Sequence, residues 1–171
     1  LDIYNFKILS NKKKFCKNYE VGELIVKGKG LFNGYYKNPN LTKKNFYKNF
    51  FKTGDLCYID NKGYYHFVDR KKDLIIKGGI NISPNEIDEK IKKIDKNIIE
   101  SATIGVKDNF YGEIIKSFIV LKNKKKFSLK KFEKKILMKL GNLKCPDIFI
   151  LKNELPKTVS GKIIKRFIND D

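Results

Sequence analysis

The chain has 171 residues, of which 38 are lysine or arginine and 19 are acidic, for a net charge of +19; 41% are hydrophobic. That much apolar material supports one large domain or two small ones, and the absence of an 18-residue apolar run excludes a transmembrane helix. The positive charge is nearly all lysine, spread through every segment among Asn and Ile, so it reads as compositional bias rather than a surface built for nucleic acid or another polyanion. The cysteines, at 16, 57 and 145, are odd in number and lack C-x-x-C spacing. Neither a disulfide framework nor a metal site is expected, and reduced thiols in a cytoplasmic setting are. Because the first residue is Leu1 and not Met, the chain is expected to belong to a longer protein, and the lack of a visible signal peptide carries little weight.

In chain order, "GELIVKG" (22–28) alternates like a strand closed by glycines. "GLFNGYYKNPNLTKKNF" (30–46) holds turn residues and a short helix start. "FKTGDLCYID" (51–60) predicts a turn and then a strand. Asn61-Lys62-Gly63 is a turn, and "YYHFVD" (64–69) returns as a strand. His66, the one histidine, sits among aromatics on that strand and is assigned no chemistry.

After Arg70 the texture changes. "DLIIKGG" (73–79) is a short apolar strand ending at two glycines. Ser83 then has the chemistry of an N-cap, Pro84 the first helical position, and Glu86 the third residue of a capping box. Ile87, Ile91, Ile94 and Ile98 form an apolar stripe, and Asp88–Lys92 and Glu89–Lys93 are acid-before-base pairs at i,i+4. "ESATIGV" (100–106) and "IIKSFIVLK" (114–122) read as buried strands. A second helix runs from Ser128 to Leu140, with Leu129, Phe132, Ile136 and Leu140 inward and Gly141 as its stop. "DIFIL" (147–151) is a further strand, and "LPKTVSGKIIKRFI" is a polar loop and short helix. The fold class is α+β: a small β-rich subdomain over 1–70, then a compact β-α-β-β-α-β domain over 71–171, with a polar seam at Arg70 to Lys72.

Four stretches stand in series: "GELIVKGKGLFNGYYKNPNLT" (22–42), "FKTGDL" (51–56), "DRKKDLIIKGGINISPNEID" (69–88) and "LPKTVSGKIIKR" (155–166), with "DNFYGE" (108–113) between the last two. In this order and spacing the chain resembles the C-terminal third of the adenylate-forming enzymes: acyl-CoA synthetases, peptide-synthetase adenylation domains and beetle luciferases. The resemblance covers essentially the whole chain and is nearer to the acyl-CoA branch.

It implies an ATP-dependent, AMP-forming ligase. A carboxylic acid, most readily a fatty acid, is adenylated with release of pyrophosphate, and coenzyme A then displaces AMP. The C-terminal domain would rotate about a hinge between the two steps. By the same resemblance Lys162 of "SGK" is catalytic, its ammonium placed for charge building on the carboxylate and α-phosphate. Asp55 of "TGD" binds the ribose hydroxyls of ATP or AMP, and Arg70 contacts the same nucleotide. Arg70 is one of only two arginines in a lysine-dominated chain, and a guanidinium fork does what lysine cannot. Lys72 falls at the hinge position. Gly78, Gly79 and Ile80 would line the path of the pantetheine arm of coenzyme A, where a backbone without Cβ admits close approach.

Taken singly, each residue has a plainer reading: Asp55 in a Thr-Gly-Asp turn, Arg70 in a salt bridge with Asp69 or Asp73, the glycine pair as a hairpin turn, Lys162 as one more solvated lysine. The family's phosphate loop, its acyl pocket and most of its Mg²⁺ contacts lie upstream of these motifs and are not in the sequence. The chain alone is therefore expected to be inactive. A peptide-synthetase or luciferase-like member is the alternative within the family, and a non-catalytic binding or regulatory module the alternative outside it.

Overall fold

The computed structural model describes residues 3–168. Packing divides the chain after Lys72 into two compact units.

The first unit is one antiparallel sheet of β1 (Tyr4–Leu9), β2 (Gly22–Gly28), β3 (Phe46–Tyr47), β4 (Phe50–Ile59) and β5 (Tyr65–Arg70), with α1 (Pro39–Asn45) preceding β3. The order is β1-β2-β4-β3, and β5 pairs with β4. Ile8, Leu9, Ile25, Val26 and Cys57 are its buried apolar residues. Residues 51–60 do not form a turn followed by a strand. Residues 51–59 lie on the single strand β4, with Asp60 opening the turn after it, and the irregularity is absorbed as a bulge: the ladder to β2 shifts register between Glu23 and Ile25. Gly54, at φ +77°, supplies the left-handed residue the bulge contains. The Thr53 hydroxyl donates to the Leu24 carbonyl and accepts from the Asp55 N–H, so the excess residues keep their hydrogen bonds.

The second unit layers two helices on a mixed sheet. In chain order it comprises β6 (Ile75–Lys77), β7 (Ile80–Ile82), α2 (Pro84–Ile94), β8 (Ile98–Asp108), β9 (Gly112–Leu121), α3 (Leu129–Lys144) and β10 (Ile148–Lys152). β9 is the organising strand. It pairs along its length with β8, and its other edge takes β10 in parallel at Lys116–Val120 and β6 at Gly112. Ile75, Ile82, Ile87, Ile91, Ile115, Ile119, Phe132 and Ile136 make the core between helices and sheet. Leu129 and Leu140 are half-buried against it.

Ser83 caps α2, its hydroxyl accepting from the Glu86 N–H, and Pro84 occupies the first turn. Gly141 adopts φ +72° and interrupts α3, the left-handed stop a Cβ would disfavour. Three local readings change. Ile98 belongs to β8 and not to the α2 stripe, because the helix ends at Ile94; its side chain still enters the same core. "INI" (80–82) is a strand of its own, too short for periodicity to reveal. Asp88 does not pair with Lys92 but is turned inward.

Candidate functional site

In the first unit, Asp55 on β4 and Arg70 on β5 are directly opposite in the ladder. Arg70 Nε lies 2.6 Å from Asp55 Oδ1, so the ion pair it makes is with Asp55, a partner the plainer reading of Asp69 or Asp73 did not name. The approach has ion-pair distance without hydrogen-bond alignment, and Oδ1, shut off from solvent, receives no hydrogen bond. The Asp55 side chain as a whole is still 24% exposed, and an ionised carboxylate accepts hydrogen bonds of the kind the two hydroxyls of a ribose diol donate. Next to it is an open cleft of about 560 Å³, lined by Lys44, Lys52, Thr53, Gly54, Arg70 and Lys71 among others. One wall carries Glu23, nearly buried, which takes the Lys71 ammonium at 2.9 Å. The excess of cations suits an anionic ligand. Lys72 also lines the cleft and lies in a 3₁₀ turn, Lys71–Asp73, at the division between the units.

In the second unit, Gly78 and Gly79 are the two loop residues of the β6–β7 hairpin, with Lys77 opposite Ile80. Their φ values, +57° and +78°, are the signature of a type I′ turn. The glycines are thus demanded by backbone conformation. A Cβ on Gly79 would meet nothing within 4 Å, so the space above the turn is open, and Ile80 beside it is 46% exposed. The turn is fixed from below. The Gly78 N–H donates to the Tyr111 carbonyl, the Ile76 N–H to Glu113, and the Lys77 ammonium, 7% exposed, sits 2.6 Å and 2.8 Å from the two oxygens of Asp147. Lys77 shares the inward face of β6 with Ile75, and period-two alternation offered that signal.

Lys162 sits on a narrow loop between Lys157 and Ile163, which are bridged as an antiparallel pair. Within it the Thr158 N–H donates to the Lys162 carbonyl, the Gly161 N–H to the Thr158 carbonyl, and the Lys162 N–H to the Thr158 hydroxyl. Gly161 takes φ +81°. The Lys162 side chain is exposed, and its ammonium makes no ion pair with another described residue. The legs of the loop are held by two ion pairs, Lys157 with Glu100 and Lys165 with Asp88. Sequence reasoning missed the latter. Its signal was the place of Asp88 beside Ile87 and three residues before Ile91, at the edge of the apolar stripe.

The two loops are thus set near opposite ends of the β8–β9 ladder. The glycine turn is tied at Tyr111–Gly112, the lysine loop at Glu100, roughly 26 Å of strand apart at about 3.3 Å per residue. The structure brings Asp55 and Arg70 together in one unit and carries Lys162 and the glycine turn at separate ends of the other. Among the described residues there is no cluster of His, Cys, Asp and Glu able to hold a metal, and no helix is long and apolar enough to cross a membrane.

Residues 86–162 match the family of AMP-binding enzyme C-terminal domains, and the chain belongs to the adenylate-forming enzymes as a C-terminal portion. It is 38% identical over 148 residues, 86% of its length, to a long-chain-fatty-acid–CoA ligase of Bacillus subtilis, and 37% identical over 163 residues to an oxalate–CoA ligase of Saccharomyces cerevisiae. Of solved structures, it superposes on ATP-bound MatB from Rhodopseudomonas palustris with a TM-score of 0.88 over 97% of the chain at 32% identity. It also superposes on the o-succinylbenzoate CoA synthetase of Bacillus subtilis, in complex with its acyl-adenylate, with a TM-score of 0.83 at 29% identity. The chain spans 26% and 30% of the two ligases, and 33% and 34% of the two crystallised chains.

Proposed function

We propose that the chain works as part of an ATP-dependent, AMP-forming acid–thiol ligase, with residues 1–70 ending a large adenylation domain and residues 71–171 forming a mobile C-terminal domain hinged at Lys72. A carboxylate attacks the α-phosphorus of ATP, pyrophosphate leaves, and the thiol of coenzyme A then displaces AMP from the acyl-adenylate. Asp55 accepts the ribose hydroxyls and Arg70 contacts the same nucleotide; the partly exposed Asp55 carboxylate, paired with an Arg70 that lines the cationic cleft, supports this reading. Gly78, Gly79 and Ile80 line the approach of the pantetheine arm, an assignment supported by the open space over the turn. Mg²⁺ would travel with the nucleotide phosphates and take its protein ligands from outside this chain. A fatty acid is the proposed carboxylate, on the strength of the fatty-acid ligase among the relatives, and the acyl pocket too lies outside this chain. The three unpaired cysteines favour a reducing, cytoplasmic setting.

The observation that carries the reading is the Lys162 loop: one exposed ammonium without an ion-pair partner among the described residues, on a turn whose two legs are both pinned. A mobile point charge so placed neutralises the negative charge that grows on the carboxylate and α-phosphate oxygens. Lys162→Ala in the intact protein is expected to slow acid-dependent pyrophosphate exchange by about 10²–10³-fold, roughly 2.7–4 kcal/mol. Thioester formation from supplied acyl-adenylate should persist. Equal losses in both steps, or none in the first, overturn the assignment.

A further inference from the structure

We infer that the Asp88–Lys165 ion pair is a positioning device that sets the Lys162 loop for adenylation; the inference rests on the reading of Lys162 given above. Asp88 is 6% exposed on the inner side of α2. A carboxylate there is a poor choice for stability, because its desolvation cost exceeds what an apolar residue of similar volume would incur. It is nonetheless fully engaged. Oδ1 accepts from the Ser101 hydroxyl at 2.8 Å and from the Thr103 hydroxyl at 2.7 Å, and Thr103 is within 2.7 Å of the Ser117 hydroxyl. Oδ2 is left for Lys165, whose ammonium approaches to 3.1 Å.

The hydroxyls come from β8 and β9, the longest paired strands of the unit, so Asp88 is fixed to the middle of the sheet's longest ladder. Lys165 comes from the chain just after the loop. It opens the 3₁₀ turn Lys165–Phe167, three residues beyond Lys162. Ile163 and Ile168 on either side pack against Ala102, Phe118, Val120 and Leu155. Apolar packing of that kind holds the segment down but leaves its slide along the sheet weakly specified. A single buried charge contact fixes it, which is the use to which buried ion pairs are best suited. Lys157 on the other leg is tied to Glu100, the residue before Ser101. The loop is therefore referenced on both sides to the first turns of the β8 ladder, and Lys162 projects from between the two anchors.

The test uses the intact ligase. Asp88→Asn keeps an acceptor for Ser101 and Thr103 while removing the charge, Lys165→Met keeps the stem while removing the ammonium, and Lys165→Arg restores a cation. Ile91→Val, in the same helix but outside the network, controls for loss of stability. Asp88→Asn and Lys165→Met are each expected to lower kcat for pyrophosphate exchange by about 10–100-fold, as a misplacement on the order of 1 Å does. KM for ATP and conversion of supplied acyl-adenylate should stay within a few-fold, the double variant should cost no more than either single one, and Lys165→Arg should recover most of the rate. Ile91→Val, at a matched drop in melting temperature, should spare both steps. If Lys162→Ala abolishes exchange while Asp88→Asn and Lys165→Met leave it intact, or lower both half-reactions in step with stability, the positioning role is wrong and the catalytic reading stands. If Lys162→Ala has no effect on exchange, the catalytic reading fails, and this inference with it.

Discussion

Removing a paired carboxylate usually destabilises a fold, but Asp55 is only half-buried. Its Oδ1 is enclosed without a hydrogen bond and offset only by the Arg70 ion pair, whose guanidinium is half exposed. A pair of that kind contributes little to stability, whereas a charged acceptor bonded to a ligand is worth about 1.5–3 kcal/mol. Asp55→Ala in the intact protein should therefore raise KM for ATP by roughly 10–100-fold, and weaken AMP retention in the second step, with little change in melting temperature. A fall in stability with normal ATP kinetics would assign Asp55 to structure. The thiols give a second test at this scale. Burial, and then the nearby Asp55 charge, push the Cys57 thiol above the ordinary range, and burial does the same at Cys16 and Cys145. A thiol raised in the folded state favours folding below its unfolded pKa of about 8.5, and the contribution is lost as pH rises through the higher folded value. Alkylation of the native protein at neutral pH should be much slower than in denaturant, slowest at buried Cys57, and stability should decline above about pH 8.5. Mass-spectrometric labelling rates across pH measure both, and fast labelling of Cys57 at neutral pH would contradict its burial.

The β6–β7 hairpin shows what an element adds to its residues. Two consecutive left-handed residues fix a tight turn, and the Lys77–Asp147 pair and the bonds to Tyr111 and Glu113 hold it at the end of the β8–β9 ladder. Any side chain at Gly79 meets the strain of positive φ, about 1–2 kcal/mol; only a large one would obstruct a ligand passing over the turn. Gly79→Ala and Gly79→Trp should thus lose similar stability, while thioester formation from supplied acyl-adenylate falls steeply in the Trp variant alone. Normal conversion by Gly79→Trp would remove the turn from the thiol path. Elements were legible where a local rule acts alone: the Ser83-Pro84 helix start and the Gly141 break in the second unit, and the alternation of Gly22–Gly28 in the first. They were illegible where tertiary partners decide. The Thr53-Gly54-Asp55 bulge looks like a turn because only the β2 partner shows that the strand continues. Asp88 looks like half of a surface pair because Ser101, Thr103 and Lys165, 13, 15 and 77 residues away in sequence, are invisible to helical spacing.

Over the whole molecule, the motifs carried more than the elements did. Asp55 and Arg70, 15 residues apart in sequence, meet because β4 and β5 return on each other, and the resemblance had grouped these two residues before any register was known. What no local pattern could supply is the placement: the Asp55–Arg70 pair lies in one unit, and the Lys162 loop and the glycine turn lie at two ends of the other. If both loops serve one site, as proposed, the second unit must be presented to it in two ways, and the division between the units is the proposed place for that change. The units divide after Lys72, within the 3₁₀ turn Lys71–Asp73, where no residue is buried. Proline there fixes φ at residue 72 and bars residue 71 from the helical region, so two adjacent backbone positions lose their freedom together. Lys72→Pro in the intact protein should leave one half-reaction within a few-fold of normal and depress the other and the full cycle by at least on the order of ten-fold. Melting should be little changed, because the residue packs against no core. Pyrophosphate exchange, thioester formation from supplied acyl-adenylate, and steady-state production of the CoA ester from acid, ATP and coenzyme A measure the three rates. A full cycle as fast as the slower half-reaction, with both half-reactions normal, would show that no backbone change at Lys72 is needed and would place the hinge elsewhere.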